Sequence, residues 1–436
     1  MLALAPDFRF ARVVVMEQPT AIYVGGSFML ATVNAERVSR SLEFGIYRDG
    51  DNNLDAVQAL VIAQAKDVSA HEPGIEFTVE DTTSRRGFAP AHVLRSESYS
   101  IADGALSRDV KLAPPHDMSS RQNLARFVAR TLDNAEASDA RETWLDLVDH
   151  GGGDGGGLEA DHWRGIMRAD DMAGAISDGV ALHAQAHPED AARRIDGVVS
   201  NQCLMATLAF SSALSHAGVR FLAASPETML APGVPSTVAA DIAHNVGDPA
   251  TMASAVVART MSTRYGDAGE RFGPAAAFDV LDLDPQKIAR VETAVRNLDG
   301  ALLSAASDSA TRRIIRQDAK AIDGMVRFPQ SEGLPWHADR PAIELYDTFA
   351  SDGRLPDAVR SAAAGASSAV AATVLAHREF DNFRPFDGAD YSNAAGPTVH
   401  FPVSHKQIDP WAPQISETDN TFYAAVGAAD LTKVIA

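Results

Sequence analysis

Apolar and polar positions alternate along the chain in a way that predicts an α/β fold. Short apolar runs such as 143–148 and 195–200 are typical of buried strands, whereas 54–61 places its apolar residues on one face, as an amphipathic helix does. A second helix is predicted over 204–218, where Gly218 closes it. Strand and helix patterns follow each other in turn, which favours a mostly parallel sheet with helices on both faces.

The same patterns divide the chain into three regions. Residues 1–40 form a lead-in with β-like runs, and residues 41–284 carry the regular alternation of strands and helices. Residues 285–436 are richer in helix patterns, with a late strand-like piece at 397–403, and we expect them to pack on the core. The length of 436 residues allows two to three units of ~150 residues each, or one large α/β domain.

The chain is strongly acidic, and this charge limits the kinds of partner that it can bind. Its formal net charge is −20, from 38 basic and 58 acidic residues. Because such a chain repels phosphate backbones, we expect no nucleic-acid partner. The excess of carboxylates fits a solvated surface, and it also fits binding of cations such as calcium, which prefer oxygen ligands.

Cysteine usage and the N-terminal sequence bear on compartment. Cys203 is the only cysteine in 436 residues, so no internal disulfide can form. The first 18 residues lack a basic segment followed by an uninterrupted apolar one, and no run of ~18 apolar residues occurs. We therefore expect a cytoplasmic monomer with no membrane insertion. Secretion stays open if a leader precedes the given sequence.

Two predicted strands end in residues that can carry out chemistry. His150 follows the strand at 143–148, and Cys203 follows the strand at 195–200. Ligands bind at the carboxyl ends of strands in an open parallel sheet, where neighbouring strands lie ~4.8 Å apart. A nearby imidazole and a helix N-terminus both lower a thiol pKa, so we expect a thiolate nucleophile at Cys203. The separation, 203 − 150 = 53, resembles the ~50 residues between the histidine and cysteine of caspases.

The glycines after His150 fit the needs of acyl transfer. An oxyanion requires fixed N–H donors, and Gly151 can present its N–H without an obstructing side chain. The N–H of Cys203 is the predicted second donor. The glycines beyond Gly153 are expected to form a flexible surface loop. No Gly-Lys-Ser/Thr follows the glycine run and no G-x-S-x-G elbow occurs, which disfavours a phosphate loop and a serine esterase.

Other polar residues are expected to have structural roles or to be solvated. The turn after the first core strand holds capping residues: Asp51, Asn52 and Asn53. Acidic residues of the glycine-rich loop lack EF-hand spacing and are expected in solvent: Asp154, Glu159 and Asp161. Three histidines lack the spacing of zinc ligands: His162, His183 and His187. The sequence therefore leaves the residues that could bind a metal unknown. Two late histidines are expected at the surface: His400 and His405.

Several motifs together resemble the clostripain-like cysteine peptidases, the C11 family of the caspase-like clan. The matching stretches, in chain order from about residue 41 onward, are YRDGDNNLD, LDLVDHGGG, VVSNQCLMA, AASPETMLAPG, FDVLDLDPQKI and VHFPVS. The resemblance implies a caspase-like three-layer sandwich with a central, mostly parallel sheet. It makes 41–284 the catalytic core and 285–436 an additional C-terminal helical and β extension.

The resemblance also implies residue roles. His150 becomes the general acid and base, Cys203 the nucleophile, and Gly151 an oxyanion donor. The family cleaves peptide bonds of protein substrates after Arg or Lys. The chemistry needs no cofactor, but calcium is a possible activator. Members also mature by cutting themselves between the histidine and the cysteine, where Arg164 and Arg168 lie in an exposed-looking loop.

The sequence departs from the family at the specificity pocket. Asn201 stands two residues before the cysteine, where the family has aspartate, and a neutral amide cannot neutralise a buried guanidinium. Candidates for the S1 pocket are Asn201, Ser225 and Glu227, and Glu227 is able to supply the missing charge. A neutral P1 preference is the alternative. A catalytically silent binding or regulatory protein, or another hydrolase or acyltransferase with the same dyad, also stays open.

Overall fold

The structure is a computed structural model that describes residues 40–52, 54–84, 94–110, 116–160, 165–229, 233–263, 277–322, 339–379, 395–403, 422 and 435. The predicted lead-in lies outside the described residues except for Arg40. In the described part of the chain, no helix is both long and apolar enough to cross a membrane.

Thirteen strands are present in the described residues. In chain order they are β1 Leu42–Gly50, β2 Ile75–Ser84, β3 Leu94–Ala102, β4 Ala105–Val110, β5 Glu142–Val148, β6 Gly157–Ala160, β7 Gly165–Met167, β8 Gly197–Asn201, β9 Phe221–Ala224, β10 Ala277–Asp282, β11 Asp339–Pro341, β12 Val374–Glu379 and β13 Thr398–His400.

Nine of these strands form one central sheet in the order β12-β10-β9-β8-β5-β1-β2-β3-β4. The five middle strands, from β9 to β2, pair in parallel. The outer strands on both sides pair antiparallel. The predicted mostly parallel centre is therefore present, and it carries antiparallel additions at its two edges.

Ten helices accompany the strands in the described residues. They are α1 Asp55–His71, α2 Arg121–Ala137, α3 Ala169–Ala186, α4 Leu208–His216, α5 Val238–His244, α6 Pro249–Ser262, α7 Pro285–Ala305, α8 Ser309–Ala321, α9 Ala342–Ser351 and α10 Asp357–Ala371. Local sequence explains several of their starts. Asp248 and Asp284 each cap a helix whose first residue is proline, where the fixed backbone angle suits the first turn.

Apolar side chains on the two faces of the sheet form separate cores. One core joins Phe44 and Val280 of the sheet with residues of α1, α5 and α6. The other joins Leu145 and Val198 with residues of α2, α3 and α4. Alternate residues of a strand point to opposite faces, so a central strand with helices on both sides is buried throughout. β5 shows this, because Thr143 to Val148 are all buried.

The C-terminal helices have a core of their own. Residues of α7, α8, α9 and α10 pack together around Tyr346 and Phe349, and Leu208 of α4 joins them. The short antiparallel pair β11–β13 lies in the same region. Thr398 of β13 donates from its backbone N–H to the carbonyl of Ala206, at 2.8 Å. The C-terminal part therefore contacts the segment that directly follows Cys203.

Candidate active site

The register of β5 and β8 brings His150 and Cys203 to matching positions. Val148 pairs with Asn201, an offset of 201 − 148 = 53, and this offset is constant along the pair. His150 and Cys203 are separated by the same 53 positions and lie two residues beyond those partners. The backbone N–H of Asp149 donates to the carbonyl of Asn201 at 3.3 Å, which continues the pairing past the strand ends. The two candidate residues are therefore adjacent at the carboxyl edge of the sheet.

The side chain of Gln202 links the loop after β8 to the loop after β5. The sequence patterns did not predict a role for it. Its amide donates to the carbonyl of His150 at 3.2 Å, and its amide oxygen accepts from the hydroxyl of Ser200 at 3.0 Å. The residue is buried, so its hydrogen bonds do not compete with bulk water. Gln202 thus fixes the backbone of the histidine from a position next to the cysteine.

Gly151 lies directly against the backbone of Cys203. A Cβ atom at Gly151 would lie 2.2 Å from the carbonyl oxygen of Cys203 and 2.9 Å from its nitrogen. Only glycine fits this approach without movement of one loop. The N–H of Gly151 hydrogen-bonds to the Cys203 thiol, so one of the two predicted oxyanion donors is directed at the sulfur.

The electrostatic environment of Cys203 differs from the predicted one. Burial raises the pKa of the thiol to about 11, a hydrogen bond from the Met229 N–H lowers it, and the charges of Glu227 and Asp149 raise it. The Met229 N–H lies 3.2 Å from Sγ. The expected depressed pKa is therefore wrong for this structure, although the residue keeps partial exposure. Desolvation and nearby carboxylates disfavour the thiolate.

The helix after Cys203 also starts later than predicted. α4 begins at Leu208, and the hydroxyl of its cap residue Thr207 accepts from the N–H of Phe210 at 3.0 Å. Cys203 lies in a tight turn before it, where Leu204 adopts a left-handed conformation with φ of 65°. That conformation is costly for a side-chain-bearing residue and often marks a functional turn. The helix therefore begins five positions after the cysteine, 208 − 203, and not at the cysteine itself.

The glycine-rich loop is buried, contrary to the expected flexible surface loop. Residues 153–158 are all buried, including Asp154, which was expected in solvent. The N–H of Gly152 donates to the carbonyl of Gly156 at 2.7 Å and closes the loop on itself. Gly156 has φ of 105°, and a Cβ there would lie 2.1 Å from the carbonyl oxygen of Met167. Backbone packing, not solvent exposure, explains why this loop is rich in glycine.

Asn201, the first S1 candidate, is held by a neighbouring loop. Its amide group donates to the carbonyl of Val234 at 3.0 Å and accepts from the Val234 N–H at 2.8 Å. The amide also hydrogen-bonds to Asp146, whose pKa burial raises well above its usual range. Asn201 therefore anchors the loop at 233–234 as well as standing two residues before the cysteine.

The other two S1 candidates lie together in the turn after β9. The hydroxyl of Ser225 donates to the carbonyl of Ala277 at 2.8 Å and accepts from the N–H of Glu227 at 3.0 Å. Glu227 is buried, and its carbonyl accepts from the N–H of Leu204 at 3.0 Å. The turn that carries Glu227 is thus fixed against the turn that carries Cys203.

Buried acidic groups surround the end of β1 near the histidine. Asn52 donates to the carboxylate of Asp149 at 2.5 Å, and its own oxygen accepts from the N–H of Leu54 at 2.9 Å. Asp49 is also buried, which raises the pKa of its carboxyl to about 8. Asn52 has the turn role that the sequence predicted, and it also positions the residue before His150. Asn53 lies outside the described residues.

Of the two self-cleavage candidates, Arg168 lies within the described residues. Arg164 lies outside the described residues, as do Asp161 and His162. Arg168 is the cap residue of α3, directly after β7, and it is half-buried. β6 and β7 pair antiparallel, so Arg168 lies between a strand and a helix and not in an exposed loop.

His400 is buried, which corrects its predicted surface position. It lies on β13 and its Nδ1 is 2.8 Å from the carboxylate of Asp339 on β11. The same carboxylate would lie 3.0 Å from a Cβ atom at Gly153. The His400–Asp339 pair therefore lies beneath the glycine-rich loop that follows His150. His405 lies outside the described residues.

Comparison with known proteins connects this geometry to solved structures. No protein-family model and no curated protein matches the sequence. A secreted C11 cysteine protease from Bacteroides thetaiotaomicron matches 89% of this chain and 100% of its own, with a TM-score of 0.61 and 12% identity. An inactive zymogen C11 protease from Parabacteroides distasonis matches 89% of this chain and 98% of its own, with a TM-score of 0.60 and 15% identity.

A third match is a structure of the secreted Bacteroides thetaiotaomicron C11 protease in complex with an irreversible peptide inhibitor. It covers 88% of this chain and 98% of that chain, with a TM-score of 0.58 and 13% identity. These matches confirm the predicted fold, an α/β sandwich around a mostly parallel sheet, and its resemblance to C11 cysteine proteases.

Proposed function

We propose that the protein is a cysteine endopeptidase in which Cys203 and His150 form the catalytic dyad. The observation that carries this proposal is the register of β5 and β8, which sets the only cysteine opposite a histidine at the carboxyl edge of the sheet. The hydrogen bond from Gly151 to the sulfur supports the same assignment. The similarity of the fold to C11 cysteine proteases, one of them in complex with a peptide inhibitor, agrees with it.

In the proposed reaction, the sulfur of Cys203 attacks the carbonyl carbon of a peptide bond while the thiol proton passes to the imidazole of His150. The oxyanion is stabilised by the N–H groups of Gly151 and Cys203. The tetrahedral intermediate then collapses, the carbon–nitrogen bond breaks, and His150 returns the proton to the leaving amine. Water, deprotonated by His150, hydrolyses the acyl-enzyme and releases the thiol.

The raised thiol pKa determines when the thiol proton leaves in the first step of this mechanism. With a pKa of about 11, the resting thiol holds its proton at neutral pH. Proton transfer to His150 must therefore accompany the attack rather than precede it. Met229 directs an N–H at the sulfur, and this donor stabilises the partial negative charge that develops on Sγ as its proton leaves.

For the P1 residue we propose Arg or Lys, with Glu227 supplying the negative charge. Asn201 is neutral and its amide is occupied by Val234, so it does not pair with a cation. Glu227 is buried near Cys203, since its charge raises the pKa of that thiol. A basic side chain bound beside Glu227 would form a charge-assisted hydrogen bond with its carboxylate.

A fluorogenic peptide library varied at P1 tests the proposal, with and without calcium. The wild type should cleave peptides, and Cys203→Ala and His150→Ala should reduce the rate at least 10³-fold. Glu227→Gln should lower kcat/KM for Arg and Lys substrates about 10- to 100-fold relative to neutral ones. The ratio isolates P1 binding, because a changed thiol pKa alters all substrates alike.

The outcomes separate the alternatives. Cysteine-dependent cleavage after neutral residues keeps the protease and replaces the basic specificity by a neutral one. A rate that rises with calcium supports calcium as an activator, whereas an unchanged rate removes it. Folded protein that cleaves nothing contradicts an active peptidase and favours a precursor or a binding protein.

Self-cleavage after Arg164 or Arg168 is a further part of the proposal. Active protein should then separate into two bands. The bands should be lost in whichever of Arg164→Ala and Arg168→Ala removes the cleaved arginine, persist in the other variant, and vanish in Cys203→Ala. Active protein that stays a single intact chain contradicts it.

A further inference from the structure

A cluster of two imidazoles and three carboxylates lies where α2 and α3 end. Its members are Asp133, Glu136, His183, His187 and Asp190. His183 and His187 are four positions apart, so one turn of α3 brings them to the same side. Their rings stack with centroids 4.9 Å apart. The carboxylates of Asp133 and Glu136 come from α2, which packs alongside.

One carboxylate oxygen lies between the two rings. Oδ1 of Asp133 is 2.7 Å from Nδ1 of His183 and 3.4 Å from Nε2 of His187. A tetrahedral zinc ion at about 2.0–2.1 Å from each ligand holds its ligand atoms roughly 3.3 Å apart. The second distance already fits that value. The distance from Asp133 to His183 is a hydrogen-bond distance, and these two atoms need to separate by only about 0.6 Å to admit an ion.

The remaining nitrogens of both rings face further carboxylates. Nδ1 of His187 is 2.7 Å from Oε2 of Glu136, and Nε2 of His183 is 3.4 Å from Oδ2 of Asp190. Histidines that bind a metal through one nitrogen usually present the other to a carboxylate, which fixes the ring and raises its basicity. Both histidines of this cluster have that environment.

Burial and charge also suit a cation. The side chain of His183 is fully buried, whereas those of Asp133 and His187 are 44% and 32% exposed, so an ion can enter from solvent. Three carboxylates face the two imidazoles, and Arg193 is the cation beside Asp190. Calcium prefers oxygen ligands alone, while imidazole with carboxylate suits zinc and its neighbours.

We infer that Asp133, His183 and His187 bind a divalent transition-metal ion of the zinc type, with Glu136 and Asp190 orienting the histidines. α2 leads into β5 and α3 leads into β8, so the ion would join the helices that precede the two strands of the proposed dyad. The cluster lies before these strands and the dyad after them, roughly 20 Å away along the sheet. Its role is therefore structural and independent of the proposed peptidase activity.

The test is titration of metal-free, full-length Cys203→Ala protein with ZnCl₂ by calorimetry, and with CoCl₂ by visible absorption. The Cys203→Ala change removes the thiol as a competing ligand. One ion should bind per chain, Co²⁺ should give the intense absorption of a four-coordinate site, and Zn²⁺ should raise the Tm. His183→Gln and His187→Gln should each weaken binding at least 100-fold, and Glu136→Gln about 10- to 100-fold.

His244→Gln is the matched control, because His244 forms an exposed pair with Glu72 at 3.0 Å on another part of the surface. It should leave binding unchanged. If His183→Gln does not fold, His187→Gln decides, since its ring is partly exposed. Absence of stoichiometric binding overturns the inference. So does binding that survives both histidine changes, or that His244→Gln reduces equally.

Discussion

Groups from several loops set the pKa of the Cys203 thiol. Gly151 and Met229 direct N–H groups at it, and the carboxylates of Asp149 and Glu227 add unfavourable charge. The sequence identified the cysteine because it is single and follows a strand. It did not predict the thiol pKa, because the groups that set the pKa lie up to 54 positions away, 203 − 149, and meet only in the fold.

Thiol alkylation as a function of pH tests this environment. Because burial and carboxylates raise the pKa of Cys203 to about 11, the iodoacetamide reaction should accelerate about tenfold per pH unit from pH 7 to pH 10. The single cysteine makes the measurement specific. Glu227→Gln should shift the profile to lower pH. A rate that levels off below pH 8 would show a thiolate–imidazolium pair instead.

Replacement of Gly151 by alanine tests the close approach of the two loops. The added Cβ would lie 2.2 Å from the carbonyl oxygen of Cys203, so the loop must move and its N–H must leave the sulfur. Because one oxyanion donor contributes about 10²–10³ in rate, we expect kcat/KM to fall at least 100-fold with an almost unchanged Tm. Gly300→Ala, where a Cβ meets nothing, is the control. Full activity of Gly151→Ala would exclude Gly151 as a donor.

At the scale of elements, the parallel centre of the sheet could be predicted and its edges could not. Alternating strand and helix patterns require crossover connections, and crossovers produce parallel neighbours such as β5 and β8. β9 and β10 are both short, fully buried strands like those of the centre, but they pair antiparallel. Short strands carry no local signal of direction, which the packing of neighbouring elements decides.

Gln202 links two elements, and its removal should affect the rate more than substrate binding. Gln202→Ala frees the carbonyl of His150, and the displaced histidine should lower kcat about tenfold, equivalent to ~1.4 kcal/mol, with little change in KM. Steady-state kinetics with one peptide measure both constants. Ser200→Ala removes the other hydrogen bond of Gln202 and should have a smaller effect. Equal losses in both variants would mean that Gln202 supports only packing.

At the scale of the whole molecule, the chain combines a net charge of −20 with carboxylates buried inside the sheet. Glu43 is one of them, and burial raises the pKa of its carboxyl to about 8. Its oxygen accepts from the hydroxyl of Thr78 at 2.6 Å, and Thr78 in turn accepts from Asn134 of α2 at 2.7 Å. This network connects β1, β2 and α2 through a group that favours its protonated form.

Glu43 should make the fold less stable as pH rises. Its pKa is 4.5 in the unfolded reference and about 8 in the fold, so between these values the folded chain holds a proton that the unfolded chain has lost. The free energy of unfolding therefore falls with pH across this window. Glu43→Gln keeps the neutral shape, and from pH 5 to pH 8 it should gain at least about 1.4 kcal/mol relative to the parent.

Urea unfolding of both proteins at pH 5 and pH 8, in the Cys203→Ala background, measures this difference. Asp357→Asn is the control, because that side chain is 90% exposed and should not change the pH dependence. Parallel pH profiles for Glu43→Gln and its parent would show that Glu43 is ionised in the fold.

Contacts between residues that are distant in the sequence could not be predicted from local patterns. The proposed dyad was inferred from residues at the ends of two predicted strands, so it could be proposed without a structure. The pair His400–Asp339 spans 61 positions, and the cluster around His183 needs side chains from two helices. Spacing along one segment does not reveal such contacts. The buried glycine-rich loop was mistaken for a surface loop for the same reason, since its packing partners lie elsewhere in the chain.

In the proposed function, Cys203 is a nucleophile that His150 activates toward peptide carbonyls. The most direct test is mass spectrometry of full-length protein incubated with a peptide that carries a thiol-reactive electrophile after a P1 Arg or Lys. We expect one adduct per chain, mapped to Cys203. Labelling should be at least 100-fold slower in His150→Ala, although iodoacetamide still modifies the thiol of that variant. Equal peptide labelling of wild type and His150→Ala, or no adduct on folded wild type, would contradict it.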